Sequence, residues 1–403
     1  KTAYEIGTGD WSSDVCSSDL LLQKKTAVHF ADWFVQTLRI TMKLLLLCTN
    51  VFWDVFPYMI LFNQQLANPL FHSPKELVSW MGAVQAQDYA MAKWAVGMRL
   101  ASATVRTVEE ALQKGEILRT HVMRPTWHLV AAEDIRWMLK LSARRIKAAN
   151  EAYAKGREEI SEELYSKSNR ALETILAGKK RLTRLEIAEH FRHSGLVADN
   201  YHMTRFMVRA EVEGIVCGGE SKGGKHAYML LEECVPPVPD ITKDEALARL
   251  ARNYFRSHTP ATLQDFVWWS GLSVTEAKQG IYLIGSELTE EQWKGQTWYL
   301  HESGRTRGSI KGHIRFLPPY DELLLGYKDR TDVLPSEHYS KAFTRNGLFF
   351  PVILYEGQIV GNWDRKVKRN GCGPGCSLFR QESRIDEALL DKAQQQYMQF
   401  LGK

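Results

Sequence analysis

Two glutamines separated by one small residue, Gln85-Ala86-Gln87, followed at once by the carboxylate of Asp88, form the stretch of this chain most suited to chemistry. A carboxamide does not titrate near neutral pH, so neither glutamine is a general base; each offers an oxygen that accepts and an NH2 group that donates. On a helix, residues two apart point to nearly opposite sides. On an extended segment they share a face, about 6–7 Å apart, and two carboxamides there could hold one water or sugar oxygen from both sides. They would orient that water and present fixed dipoles to developing positive charge, which is preorganised electrostatic help. The bland alternative is a helix that ends in a polar turn containing two glutamines. Asp88 is the only carboxylate beside the motif, and in an extended segment it faces away from Gln87.

The preceding residues read as a helix. Ser73-Pro74-Lys75-Glu76 is a capping-box pattern with proline at the first helical position, and Leu77, Trp80, Met81 and Val84 recur at helical spacing. Thr107 with Glu110 predicts a further N-terminus, stopped at Gly115, and 117–130 reads as two short strands broken at Arg124-Pro125. The charge-rich stretch 143–180 reads as a solvated helical connector. Thr183-Arg184-Leu185-Glu186 opens a helix with Leu185, Ala188 and Phe191 inward. The next helix turns Met203, Phe206, Met207 and Ala210 to a core and His202, Arg205 and Arg209 to the other side. A hairpin follows, its glycine-rich tip (218–226) carrying Lys222 and Lys225. Such a basic face and tip suit phosphate contact, which positions a protein without reading sequence; an ordinary solvated face is the other reading. Thr262 and Ser273 read as N-caps. Trp268 and Trp269 are candidate base-stacking platforms; adjacent tryptophans rarely face the same way, so at least one is expected in the core, and core for both is the favoured reading. Residues 349–363 form a hairpin in pattern, and Arg365, Lys366, Lys368 and Arg369 form a basic cluster able to touch phosphate.

Four ordered blocks carry a resemblance: Val78 to Gly97 around the glutamines, Arg119 to His128, Thr262 to Leu272, and Phe316-Leu317-Pro318-Pro319-Tyr320-Asp321-Glu322. Together they resemble the winged-helix DNA glycosylase superfamily of AlkZ and YcaQ type, whose catalytic element is Gln-aliphatic-Gln, or Gln-aliphatic-Asp in one branch. Gln85 and Gln87 fall on that element, with Ala86 as a small version of the aliphatic residue. The resemblance implies a groove beside the glutamines lined by Arg119, His121, Arg124 and His128; a core histidine or an exposed arginine is the alternative for each. It also implies a C-terminal β-barrel-like domain. Because two carboxamides give modest help, the leaving group must already be activated, as in a purine made cationic by alkylation at N7 or N3, bulky or cross-linked adducts included. Asp88 could stabilise the sugar cation or take a proton. No lysine stands where an imine-forming nucleophile is expected, so hydrolysis to an abasic site is favoured.

Composition agrees with a soluble DNA-binding enzyme without demanding one. The 403 residues are 44% hydrophobic and 25% charged, with net charge +5. Six cysteines make no disulfide scaffold, and Cys372 and Cys376 lack a second ligand pair, so neither metal nor cofactor is expected. Residues 10–20 resemble a translated sequencing adapter, which places 1–20 outside the fold; they carry net −3 and leave the remainder at +8. Within residues 21–60, Met42 to Cys48 resembles the start of a signal peptide, but Asp54 interrupts the run and no clear cleavage site follows; the segment reads as upstream sequence in the open frame, with Met59 a candidate start. Residues 371–376 depart from the family pattern, as frame damage would.

The expectation is an α+β chain of tandem winged-helix (helix-turn-helix) units. Its divisions are a first unit over 61–142 with the glutamine motif, a connector (143–180), a second winged helix (181–240), a third unit (241–312) and a β-rich C-terminal domain (313–403). It acts as a cytoplasmic, nucleoid-associated monomer on double-stranded DNA with no membrane partner, as a monofunctional glycosylase of base excision repair. Two rivals stand: a non-catalytic winged-helix regulator, which would commonly bind two half-sites as a dimer, and a corrupted frame that folds only in part. Asp321 and Glu322 are neighbouring carboxylates, but strand neighbours point apart, so two-carboxylate glycosidase chemistry is a weak reading.

Overall fold

In the computed structural model, residues 58–403 are described apart from 155, 307, 368–373 and 381–384. The adapter-like stretch, the upstream segment to residue 57, Lys368, Arg369 and Cys372 lie outside the described residues, as does the Lys366 side chain. Residues 58–63 are helical, with Met59 and Phe62 buried, so this helix runs across the boundary expected at 61.

Ser73 caps α1 (Pro74–Met81), its side chain accepting the Glu76 N–H. Gly82 ends that helix at φ +77°; a Cβ there would stand 2.9 Å from Asn253 Cβ, so only glycine both makes the left-handed turn and passes this neighbour. The turn delivers β1 (Val84–Gln85), and α2 (Tyr89–Gly97) follows with Asp88 as its N-cap. Helix α3 (Val105–Gln113) starts at Thr104 rather than Thr107: the two threonines bond each other's N–H groups, so Thr107 fills the third helical position that glutamate usually holds. The hairpin β2 (Ile117–Val122) and β3 (Thr126–Ala131) completes the unit, and β1 pairs with β3, setting Gln85 opposite His128.

The connector is two helices with buried faces. In α4 (Ile135–Tyr153) Trp137, Met138 and Ile146 are buried, and in α5 (Glu162–Leu176) Tyr165, Leu172 and Leu176 are. The second unit contains β4 (Leu182–Thr183), α6 (Arg184–His193), α7 (Asn200–Val212), β5 (Val216–Lys222) and β6 (Lys225–Leu230), closed by α8 (Leu231–Cys234). Thr183 and Glu186 form the expected capping box, but Leu185 is 65% exposed and Ile187 takes the inward place beside Ala188 and Phe191. Most of the glycine-rich segment is strand, its turn reduced to Gly223-Gly224. Arg119 pairs with Gly218, so the two hairpins fuse into one six-stranded sheet, β1-β3-β2-β5-β6-β4.

The third unit repeats the helix-and-hairpin order with α9 (Lys243–His258), β7 (Ala261–Thr262), α10 (Leu263–Ser270), α11 (Val274–Leu283), β8 (Leu288–Trp293) and β9 (Gln296–His301), its sheet running β7-β9-β8. Thr262 and Ser273 cap α10 and α11, each in a capping box. Beyond it lie β10 (Ile314–Leu317), α12 (Glu322–Leu325), α13 (Tyr339–Ala342), β11 (Val352–Tyr355), β12 (Gln358–Val367), β13 (Pro374–Leu378) and α14 (Glu387–Phe400). Their strands form an antiparallel meander, β10-β11-β12-β13, whose outer strands do not pair with each other; among the described residues no barrel closes. A buried ion pair ties this part to the first unit: Arg99, just past α2, reaches both Asp321 oxygens at 2.8 Å. No helix among the described residues is long and apolar enough to cross a membrane.

Candidate functional site

Gln85 lies on the short outer strand β1, and its neighbours come from three parts of the chain. Backbone N–H groups alternate in direction along a strand. That of Ala86 donates to the Trp127 carbonyl of β3 at 2.7 Å, whereas that of Gln85 points the other way and donates to Glu322 Oε1 at 2.7 Å. The Gln85 side chain is buried, and its Oε1 accepts from Arg124 Nη2 at 3.0 Å. A guanidinium can only donate, so this contact assigns the oxygen of the carboxamide, and that oxygen keeps a second lone pair. Gln87, two residues on, is exposed. The extended reading therefore holds through Gln85 and Ala86, and the chain bends at Gln87-Asp88.

Arg124 leaves the β2–β3 turn and lies over the ring of Trp268 at 5.8 Å. Burial lowers its pKa, and the charge of Glu322 opposes that. His128 is wholly buried; Nδ1 faces the Thr126 carbonyl at 2.9 Å, Nε2 has no hydrogen-bond partner, and burial with the nearby Arg124 pushes its pKa down to about 3, which keeps the ring neutral. His121 faces away from the glutamines. Its Nδ1 stands 2.6 Å from Glu211 Oε2 on α7, and its ring lies 4.0 Å from that of Trp127. Arg119 is not free for phosphate: Nε and Nη2 donate to the Ala86 carbonyl at 3.1 and 2.8 Å, and the guanidinium lies over Trp127 and Tyr89. It holds the backbone of the motif. Asp88 spends its carboxylate on the Met91 N–H, at 3.3 Å, and on an ion pair with Arg365.

The expected phosphate-contacting face of α7 is covered. The helix packs against α4, α5 and β2, and of its residues only Asn200 and Thr204 are exposed. His202 is buried on its own N-cap, with Nδ1 2.8 Å from Asp199 Oδ2. Arg205 is buried on the Tyr165 hydroxyl and the Asn150 carbonyl. Arg209 is paired with Glu162, at 3.0 Å, and with Glu213; burial works against its charge, but the two carboxylates outweigh it and raise its pKa. At the hairpin turn Lys222 reaches Glu186 at 2.7 Å, and Lys225 is exposed.

Two side chains at the site, Glu322 and Arg330, were not singled out for it from sequence. Glu322 is buried from the start of α12, its Oε2 accepting the Trp269 indole N–H at 3.0 Å, with His258 Nε2 at 3.9 Å. Burial raises its pKa, but His258 and the Gln85 N–H outweigh that and hold the carboxyl below its ordinary value. The pair Asp321-Glu322 was visible, but the pair sits at a helix start rather than on a strand, where one side chain turns to Arg99 and the other to Gln85. Trp269 is core as expected, whereas Trp268 is 41% exposed, bonded to the Leu325 carbonyl and flanked by Arg124 and Arg330. Arg330, buried against Trp268, Phe343 and Phe349, had no local signal.

Comparison with known proteins shows the fold and the family of this chain. A curated relative, the interstrand DNA cross-link repair glycosylase of Streptomyces sahachiroi, is 25% identical over 326 residues, 72% of this chain and 82% of the relative. The solved structure of the Streptomyces sahachiroi DNA glycosylase AlkZ superposes with a TM-score of 0.68 at 22% identity, covering 87% of this chain and 96% of that one. Residues 78–400 match the family model described as DNA glycosylase AlkZ-like, a span that takes in all four sequence blocks, and the chain belongs to that family of DNA glycosylases.

Proposed function

We propose that this chain hydrolyses the N-glycosidic bond of purines made cationic by alkylation at N7 or N3 in double-stranded DNA, with Gln85 and Gln87 as the groups that touch the substrate. The reading includes bulky and cross-linked adducts, the class after which the Streptomyces sahachiroi relative is named. It places the protein, as a monomer, at the first step of base excision repair. The C1′–N9 bond breaks, its electron pair neutralises the charged base, a water adds at C1′ and its proton passes to solvent. Gln85 Oε1, fixed by Arg124 on one side, keeps a second lone pair to turn toward the positive sugar, and Gln87 orients the water from the exposed side.

The observation that carries this reading is the clamping of Gln85 on main chain and side chain together, beside an exposed Gln87. A regulator would instead lay its recognition helix on DNA, and the exposed residues of α7, Asn200 and Thr204, carry no cation for that. Lys222 and Lys225 on the hairpin turn are the phosphate contacts in this reading, with Arg365 and Lys366 on the C-terminal side.

The test uses the full chain on duplex DNA carrying N7-methylguanine, with abasic sites counted by alkaline strand cleavage. The wild type releases base, and the double variant Gln85→Ala with Gln87→Ala does so at least a hundredfold more slowly at unchanged DNA affinity. If the wild type binds DNA but frees no base from N7-methylguanine, from a bulky N7 adduct or from a cross-linked duplex, the reading is wrong.

A further inference from the structure

Strand β1 is two residues long and lies at the edge of its sheet, bonded on one side only, to β3. An edge strand this short has little of its own to fix register or orientation. Gln85 projects its N–H away from β3, to a side where no further strand lies among the described residues and where its own residue is 6% exposed. Left without a partner there, that N–H would be a buried unsatisfied donor, which proteins avoid by shifting the segment that carries it. The Glu322 carboxylate takes the place of the missing strand. It comes from the other end of the chain, 237 residues away, and is 1% exposed. Trp269 Nε1 fixes its second oxygen at 3.0 Å, and Gln64 Nε2 donates to its backbone carbonyl at 3.3 Å, so the acceptor is itself held from two directions.

Gln85 is thus gripped by opposite charges from separate elements, Glu322 on its N–H and Arg124 on its Oε1. We propose that Glu322 is a positioning residue for base excision: its carboxylate holds the Gln85 backbone in register and sets a fixed negative charge behind the carboxamide that faces the sugar. It does not touch the substrate, since both oxygens are spent inside the protein. Its influence passes through Gln85, and through the field that a buried anion adds where positive charge develops in the transition state. The inference rests on the glycosylase reading above for its catalytic part and on the hydrogen bond alone for its structural part.

Two measurements on the full chain separate these parts. In single-turnover excision from N7-methylguanine DNA, Glu322→Gln, which keeps an acceptor but no charge, slows release at least tenfold. Glu322→Ala slows it at least a hundredfold, while both variants keep the DNA affinity within twofold and melt cooperatively. Backbone amide exchange read by NMR accelerates at least tenfold at Gln85 in Glu322→Ala and stays near wild type at Ala86, whose N–H bonds Trp127 instead. Should Glu322→Ala fail to fold, Glu322→Gln carries the same rate-against-affinity comparison alone. The proposal is overturned if the substituted enzymes excise within threefold of wild type, if their rates fall only in proportion to lost affinity, or if Gln85 exchange does not change. A wild type that frees no base defeats the glycosylase reading instead, and the exchange experiment still decides whether Glu322 holds Gln85.

Discussion

The β2–β3 hairpin and helix α7 carry similar sets of side chains, and the fold uses them in opposite ways. The hairpin has Arg119, His121, Arg124 and His128; the helix has His202, Arg205 and Arg209. Around the hairpin, Arg119 and Arg124 find uncharged acceptors belonging to the glutamine motif itself, the Ala86 carbonyl and Gln85 Oε1. On α7 the charges are absorbed by Asp199, Glu162 and Glu213 or buried on neutral oxygens. What separates a working cation from a structural one is the element that packs opposite it. For the hairpin that element is a two-residue edge strand; for α7 it is α5, which brings Glu162, together with the carboxylates Asp199 and Glu213 at the two ends of α7 itself.

The largest effect should come from the hairpin side. Gln85→Ala is expected to slow excision about 10²–10³-fold, the range seen when one preorganised transition-state dipole is removed. Gln87→Ala should cost less, because Gln87 is exposed and has no comparable clamp. Single-turnover rates at saturating enzyme measure both, and equal losses would show that the clamp on Gln85 is irrelevant. The matching change on α7 should act on stability and leave binding alone. Arg205→Ala leaves Tyr165 and Asn150 without their buried donor, at a cost of about 2–3 kcal/mol in unfolding free energy. A urea titration reads that loss, and DNA affinity at constant salt should stay within twofold. A variant that kept its stability and lost affinity would restore α7 as a DNA-contacting helix.

These two outcomes bear on what could be read without coordinates. Local signals were legible: the Ser73 cap, the Thr183-Glu186 box, the break at Arg124-Pro125 and the Glu356-Gly357 turn all depend on residues within a few positions of one another. The extended reading is one of two that the sequence leaves open, and of the two glutamines it holds for Gln85 alone; Val84, counted on the helix face, lies on β1 because Gly82 stops α1 at Met81, and Gln87 falls in the bend beyond the strand. Facts that depend on distant partners were not legible. The i, i+3, i+7 spacing on α7 correctly put three residues on one face, but it carried no information that α4 and α5 would cover that face. Glu322 was visible as one of two carboxylates, yet its target lies 237 residues back, and only the packing of α12 against β1 pairs them. Trp268 and Trp269 do point apart, but which one reaches the surface is set by Leu325 and the two arginines around it.

His128 offers a third contrast, of titration. Its pKa in the fold, about 3, lies below the ordinary imidazole value of about 6.5. Between those values the unfolded chain takes up a proton that the folded chain refuses. The stability is therefore complete above about pH 6.5 and is lost as pH falls toward 3, by up to about 1.4 kcal/mol per pH unit from this group. His226, also buried to a pKa of about 3 beside Arg119, adds in the same direction. Replacing His128 with the non-titrating Gln should shrink the difference between urea midpoints at pH 7 and pH 5. An unchanged difference would mean that His128 is charged or solvated in the folded protein.

The smallest effect concerns Lys225 against Arg209. Both are cations of the second unit, one exposed at a hairpin turn and the other closed into a network with Glu162 and Glu213. A lysine that neutralises one phosphate on binding releases about one counterion, so Lys225→Ala should lower the slope of log affinity against log salt by about 1 and weaken binding a few-fold at low salt. Arg209→Ala removes a cation that α5 and its own helix already neutralise; the slope should not move, and the cost should appear as about 0.5–1 kcal/mol of stability. Fluorescence anisotropy over a salt series measures the slope directly. The two variants change formal charge equally, so a difference between their slopes is a difference in what each cation faces when DNA arrives. Equal slopes would mean that the hairpin turn does not meet the phosphate backbone, and that DNA reaches Gln87 by another side of the molecule.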